Sequence, residues 1–275
     1  MAGVMGFLEK VEIFCFAASY GVALALELVH LVAPRPILRY VGLGFGLAGL
    51  LAQAIYISVQ PVPLGAPAGS LLFLALVLAV FYCYGTVHHF RLAWGLFVLP
   101  LMLVLIGLAV LLREVGVSRE YEGAGTWVLV AVHVATLLLA AVGVCVGFIA
   151  SLMYLVQLHR LRAKLPPGQG MKLLSLERLE AMNRRAILWA FPLLTAGLLL
   201  GVALQIQGGY FGEGWTSPKI LSGLGLWIVF AILLYLRYAI HVRGRRVALL
   251  TMVAFVVLLV TFVTPGHSFL PGGTP

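Results

Sequence analysis

The chain has 275 residues, of which 63% are hydrophobic and only 10% charged. Soluble domains carry about 25% charged residues, so a soluble globule is excluded and a polytopic membrane protein is indicated. The net charge of +9, from 18 Lys and Arg against nine acids, would raise nucleic acid as a partner in a soluble protein; in a chain this apolar it reads instead as loops held on the cytoplasmic side of a lipid membrane.

A membrane span needs about 20 mostly apolar residues. Such runs fall at about 7–32, 37–59, 70–87, 92–112, 127–158, 187–206, 220–241 and 247–264. The fold expected is therefore all-α, a bundle of about eight transmembrane helices in one integral membrane domain spanning 1–275. Spans one to four occupy 1–126 and spans five to eight 127–275. Phe7–Val32 is too long for the apolar core of a signal peptide and reads as an uncleaved first span. Pro34 and Pro36, the stretch Gln60–Gly69 and the stretch Leu165–Gly170 mark junctions between spans. The segment with Leu173, Leu174, Leu176, Leu179 and Met182 among Glu177, Arg178, Glu180, Arg184 and Arg185 is amphipathic. It fits either a helix at the inner interface or a solvated start to span six.

Counting bases on alternate sides gives the orientation. One side takes Arg35, Arg39, Arg91, Arg160, Arg162, Lys164, Lys172, Arg178, Arg184, Arg185, Arg237, Arg243, Arg245 and Arg246; the other takes Lys10, Arg113, Arg119 and Lys219. The richer side is cytoplasmic by the positive-inside rule. Both termini then lie outside, together with the loops 60–69, 113–126 and 207–219. The last of these, Gly208–Lys219, is a polar island that sets Tyr210, Phe211 and Trp215 among glycines, with Glu213 and Lys219 its only charges. It reads as an aromatic platform or as part of an interfacial aromatic belt.

Five histidines, His30, His88, His89, His159 and His241, fall at cytoplasmic ends of spans, whereas His133 and His267 lie near the outer level of that loop. A neutral imidazole is a good axial ligand for haem iron, and two on different helices can clamp one porphyrin; a lone intramembrane histidine otherwise serves as a hydrogen-bonding packing residue. Glu27 lies inside span one, with His30 on the same helix face as a possible partner, either as a local pair or in a proton relay. Cys15, Cys83 and Cys145 are isolated within apolar runs, which suits packing rather than thiol chemistry. There is no Asp in the chain and no HExxH, P-loop or GxSxG pattern, which disfavours hydrolases and Asp-dependent metal enzymes.

Residues 173–201, LLSLERLEAMNRRAILWAFPLLTAGLLLG, are similar to the signature of the CcsA/ResC/HemX-like cytochrome c assembly family. In the family's order follow Pro218-Lys219, Arg243-Gly244 with Ala248, and Gly266-His267-Ser268-Phe269. The resemblance runs from roughly His133 to His267. It implies haem b held at the outer face between His133 and His267, with Tyr210, Phe211, Trp215 and Lys219 of the outer loop against it. The implied partners are a ResB/CcsB-like membrane protein and apocytochrome c, and the implied location is the cytoplasmic (inner) membrane. The family's outer loop is dense in Trp with an Asp before Pro-Lys; here one Trp, Trp215, remains and Ser217 precedes Pro218. Its transmembrane histidine corresponds by spacing to Tyr235, with Arg237 keeping the following Arg, so that an inner haem site would rest on these two. The thinned loop resembles the HemX-type branch. The reading that follows is a haem-handling membrane protein of cytochrome c biogenesis, with catalysis by this chain alone left open. The alternatives are a HemX-like regulatory or scaffolding protein, acting through the basic 159–186 face, and a small-solute carrier gated by Glu27 and His30.

Overall fold

The computed structural model describes residues 12–60, 66–88, 92–113, 124–164, 171–207, 218–242 and 244–264. Eight α-helices occupy these residues and no strand is found among them. They are α1 (Ile13–Val32), α2 (Pro36–Val59), α3 (Pro67–His88), α4 (Gly95–Leu111), α5 (Ala124–Arg162), α6 (Leu176–Gln207), α7 (Pro218–Tyr238) and α8 (Arg245–Val263). Seven are long and apolar enough to cross a membrane; α4, at 17 residues, is shorter. The polytopic helical bundle expected from the apolar runs is the fold observed. Large side chains such as Val32, Leu111 and Trp189 stand exposed on helix surfaces, as membrane spans require where they meet lipid.

Two helices extend well past the bilayer's needs. At about 1.5 Å per residue, the 39 residues of α5 reach about 58 Å, against a hydrocarbon core of about 30 Å. Helix α6 runs unbroken for 32 residues from Leu176, so the amphipathic segment is the solvated start of span six and not a separate interfacial helix. Its Leu179, Asn183 and Ala186 are buried, while Glu177, Arg178, Arg184 and Arg185 are exposed. A wide backbone turn follows the end of α7. The amide of Val242 donates to the carbonyl of Leu236, and His241 takes a left-handed φ of 58°.

The helices gather into two compact units. The first comprises Met1–Leu64, Ala68–Leu111 and Leu152–Ala181; the second comprises Gly65–Pro67, Leu112–Ser151 and Met182–Pro275. In the first, α2 presents Gly42, Gly46 and Gly49 on one buried stripe. A Cβ at Gly49 would sit 2.7 Å from Cε1 of Tyr20, and one at Gly46 2.5 Å from Cε1 of Tyr82, so both rings lie flat on the α2 backbone. The Tyr20 hydroxyl donates to Gln53 Oε1 at 2.7 Å, and Gln53 Nε2 donates to the Leu72 carbonyl at 2.9 Å. That chain satisfies three buried polar groups in a low-dielectric interior.

The same unit holds Glu27, whose partner is not His30. Its Oε2 lies 3.9 Å from Nε of Arg39 on α2, and both side chains are buried. His30 instead turns its Nδ1 to the Arg35 carbonyl at 3.0 Å. Pairing across helices, with the Arg39 guanidinium also on the Leu92 carbonyl, compensates a buried carboxylate better than a histidine at a helix end would.

Candidate functional site

In the second unit, small residues bring α5 and α6 together. A Cβ on Gly143 would meet Cβ of Ala190 at 2.8 Å, and one on Gly197 would meet Cδ2 of Leu137 at 2.5 Å. Without lipid-driven hydrophobic attraction between spans, close backbone approach of this kind is what holds them.

His133, early in α5, sits on this seam. Its Nδ1 is 2.7 Å from the carbonyl oxygen of Gly197. A carbonyl only accepts, so Nδ1 carries a proton, and in the neutral ring Nε2 then holds the lone pair. The ring also lies over Gly201, one turn further along α6, where a Cβ would approach Cε1 to 2.9 Å and Nδ1 to 3.4 Å. The pair Gly197 and Gly201 therefore forms a seat for the imidazole, fixing both its plane and its tautomer. Metal-ligating histidines are commonly oriented by such a bond from the second ring nitrogen to a backbone carbonyl.

Neighbouring contacts tie the other two helices to the same end of this unit. A Cβ at Gly223 of α7 would lie 3.4 Å from Leu198 of α6, and Ser222 is 3.4 Å, oxygen to oxygen, from Thr264 just past α8. Below this layer the Trp227 indole donates to Thr195 Oγ1 at 3.0 Å, and Thr195 donates to the Phe191 carbonyl at 2.9 Å. Phe191 also faces Trp227, with ring centroids 5.6 Å apart.

Towards the other ends of these helices lies a polar hub on Asn183 of α6. Its Nδ2 is 2.8 Å from Ser151 Oγ, 3.1 Å from Thr251 Oγ1 and 3.2 Å from the Gly147 carbonyl. Nη1 of Arg237 reaches its Oδ1 at 3.5 Å. Thr251 gives its own proton to the Val247 carbonyl, which leaves its lone pairs for the amide. One side chain thus links α5, α6, α7 and α8.

Of the residues singled out from the sequence, His133 is placed in a built environment. Arg237 is placed on the Asn183 hub. Tyr235 is 62% exposed on α7 and does not share that interior. Lys219 is the second residue of α7. Tyr210, Phe211, Trp215 and His267 lie outside the described residues.

The family model for cytochrome c assembly proteins ("Cytochrome C assembly protein") matches residues 64–265, which take in α3 to α8. The chain belongs to this family. Curated relatives include the cytochrome c biogenesis protein CcsA of Guillardia theta, 34% identical over 99 residues, or 36% of this chain and 32% of the relative. CcsA of Porphyra purpurea is 34% identical over 99 residues (36% and 30%), and that of Gloeobacter violaceus 34% over 98 residues (35% and 28%). The matched stretch spans about a third of the length of these relatives. No solved structure matches the chain significantly.

The match to the cytochrome c assembly proteins is longer than the motif resemblance, which began near His133, and it leaves α1 and α2 outside it. Within the matched residues, sequence reasoning passed over Asn183, Gly197, Gly201 and the Trp227–Thr195 bond. Asn183 had a signal: it stands in register with Leu179, Ala186 and Ala190, the buried stripe of α6. A carboxamide on an apolar stripe demands partners from neighbouring helices.

Proposed function

We propose that this chain handles haem in cytochrome c biogenesis, with His133 as an axial ligand and His267 as the second, at the outer membrane face. The observation that carries the reading is the His133 Nδ1–Gly197 carbonyl bond, which sets the lone pair on Nε2, the nitrogen that would meet iron. The donor fits haem, since a neutral imidazole fixed in one tautomer is a suitable axial ligand for its iron. When bound, haem supplies the iron and the vinyl groups at which thioether attachment to apocytochrome c takes place.

Support for His267 comes from the chain around it. Thr264, three residues before it, is held near Ser222, whose neighbour Gly223 meets Leu198 beside Gly197. Three residues span at most about 11 Å, a reach that supports reading His267 as the second ligand. Helix α6 ends at Gln207 and α7 begins at Pro218. The stretch carrying Tyr210, Phe211 and Trp215 therefore leaves and returns at this same end, and we read it as the apolar wall against the porphyrin. Lys219 at its close is suited to pair with a propionate. Arg237 serves the Asn183 hub, and Tyr235 takes no part in this reading. The uneven distribution of Lys and Arg supports reading this end as the outer face and the arginine-rich connections as cytoplasmic, with the chain in the inner membrane. A ResB/CcsB-like membrane protein and apocytochrome c are the partners the reading calls for.

The test is the absorption spectrum of the purified protein. Wild type is expected to carry b-type haem with a low-spin, bis-imidazole spectrum. His133→Ala and His267→Ala should each lose haem or convert it to a high-spin form restored by added imidazole. A haem-free wild type, or variants that retain the wild-type spectrum, would overturn the assignment.

A further inference from the structure

The first unit contains buried polar atoms that the haem reading does not use. The junction Trp94–Gly95, at the start of α4, receives side chains from α1 and α3. A Cβ on Gly95 would lie 2.9 Å both from Oε1 of Glu27 and from Cε2 of Tyr82, so carboxylate and phenol flank the first turn of α4. The Trp94 indole nitrogen lies against Gly85 of α3, where any Cβ would overlap it. Arg39 joins the group through Glu27 and the Leu92 carbonyl.

Trp94, Tyr82 and, one turn on from Tyr82, Thr86 end in unmet hydrogen-bonding atoms. Trp94 Nε1, Tyr82 Oη and Thr86 Oγ1 are buried, and none has a protein hydrogen-bond partner among the described residues. Trp94 is 4% exposed and Tyr82 0%. Tyr82 and Thr86 stand one turn apart on α3 with no bond of normal geometry closed between their hydroxyls. An unsatisfied polar group in a low-dielectric interior is costly, and this helix junction carries three of them. An indole N–H can only donate, so the partner must bring a lone pair. The Glu27–Arg39 separation of 3.9 Å also exceeds direct hydrogen-bond contact.

The geometry points to a bound-water site at the start of α4, in which ordered water accepts from the Trp94 indole and bridges the Tyr82 and Thr86 hydroxyls to the Glu27 carboxylate. A buried water needs a polar surrounding and two to four partners, and this junction provides them. The side chains close in tightly on Gly85 and Gly95, so the partner they share must be as small as water. Glu27 and Arg39 stand before residue 64, so half of the site is built by helices outside the family match. The site hydrates a buried ion pair in the membrane interior, which lowers the cost of keeping both charges there.

Hydroxyl-radical footprinting by microsecond X-ray pulses tests this on the full chain in lipid nanodiscs, since bound water is radiolysed in place and labels the side chains it touches. Tyr20 is the internal control: it is also fully buried in this unit, but its hydroxyl bonds directly to Gln53. After division by intrinsic reactivity, Tyr82 and Trp94 are expected to label several-fold faster than Tyr20. Equal rates would overturn the site. Thr86→Val, isosteric and lacking the hydroxyl, is expected to reduce the labelling of Tyr82; unchanged labelling there also counts against it. Neither result depends on whether the protein carries haem.

Discussion

The imidazole of His133 on α5 donates from Nδ1 to the carbonyl of Gly197 on α6 across 2.7 Å, and its ring covers Gly201 one turn beyond. The seat has no room for a methyl group, since a Cβ on Gly201 would stand 2.9 Å from the ring carbon Cε1. Gly201→Ala must therefore tilt the ring or part the helices. The expected outcome is haem retention reduced several-fold, with a shifted Soret band in what remains. Gly225→Ala is the control, because nothing lies within 4 Å of its Cβ. It should leave the spectrum unchanged and, by helix propensity, stabilise by up to about 1 kcal/mol. Equal spectra for the two variants would show that the imidazole is not seated as described.

Much of this architecture was legible in the residues. The apolar runs find all eight helices, because a backbone in lipid must bond internally and so announces its spans by composition; the largest miss is the start of α6, which lies eleven residues before the run at 187–206. His133 stood out because it is a polar residue on a span near the aromatic island. What stayed hidden is the pairing between helices. Glu27 has His30 a turn away on its own helix, yet takes Arg39 from the next one, and periodicity along one helix carries no information about a neighbour's rotation. Gly197 and Gly201 look like ordinary membrane-helix glycines until the ring of His133 is laid on them. The amphipathic start of α6 was ambiguous for a related reason: a solvated helix end and a surface helix share one pattern, and only continuity of the backbone separates them.

The Glu27–Arg39 pair predicts a sharp asymmetry between single and double substitution. Removing one member leaves the other charge buried, at a cost of about 3–5 kcal/mol, whereas removing both leaves neither. Glu27→Gln and Arg39→Met should each lower the thermal midpoint in detergent strongly, and the double variant should recover most of the loss. Additive losses would mean that the two charges do not compensate one another.

Trp227 offers a milder test of the second unit. Its indole bonds to Thr195 at 3.0 Å while its ring faces Phe191. Trp227→Phe keeps an aromatic ring there and removes the donor, but Thr195 retains its bond to the Phe191 carbonyl. The expected cost is about 0.5–1.5 kcal/mol, read as a small fall in thermal midpoint. A loss as large as that of Glu27→Gln would show that the ring's packing, and not its hydrogen bond, carries this contact.

Asn183 should behave differently, because its loss strands groups on several helices at once. The amide has two hydrogens for three acceptors within 3.2 Å, so one hydrogen is shared or the acceptors alternate. In Asn183→Ala, Ser151 loses the donor at 2.8 Å, while Thr251 still donates to Val247. The loss is expected to be about 1–2 kcal/mol, and Asn183→Leu should cost more, since its branched end adds bulk against Gly147. Interhelical hydrogen bonds in membranes average about 0.6 kcal/mol by double-mutant cycles. A cycle of Asn183→Ala with Ser151→Ala should therefore give a coupling of about that size. Arg237→Gln separates the hub from the haem reading. The guanidinium touches Asn183 at 3.5 Å and lies towards the opposite ends of the helices from His133. It should lower stability while leaving the haem spectrum intact, and a spectrum lost with stability preserved would place Arg237 at a haem site instead.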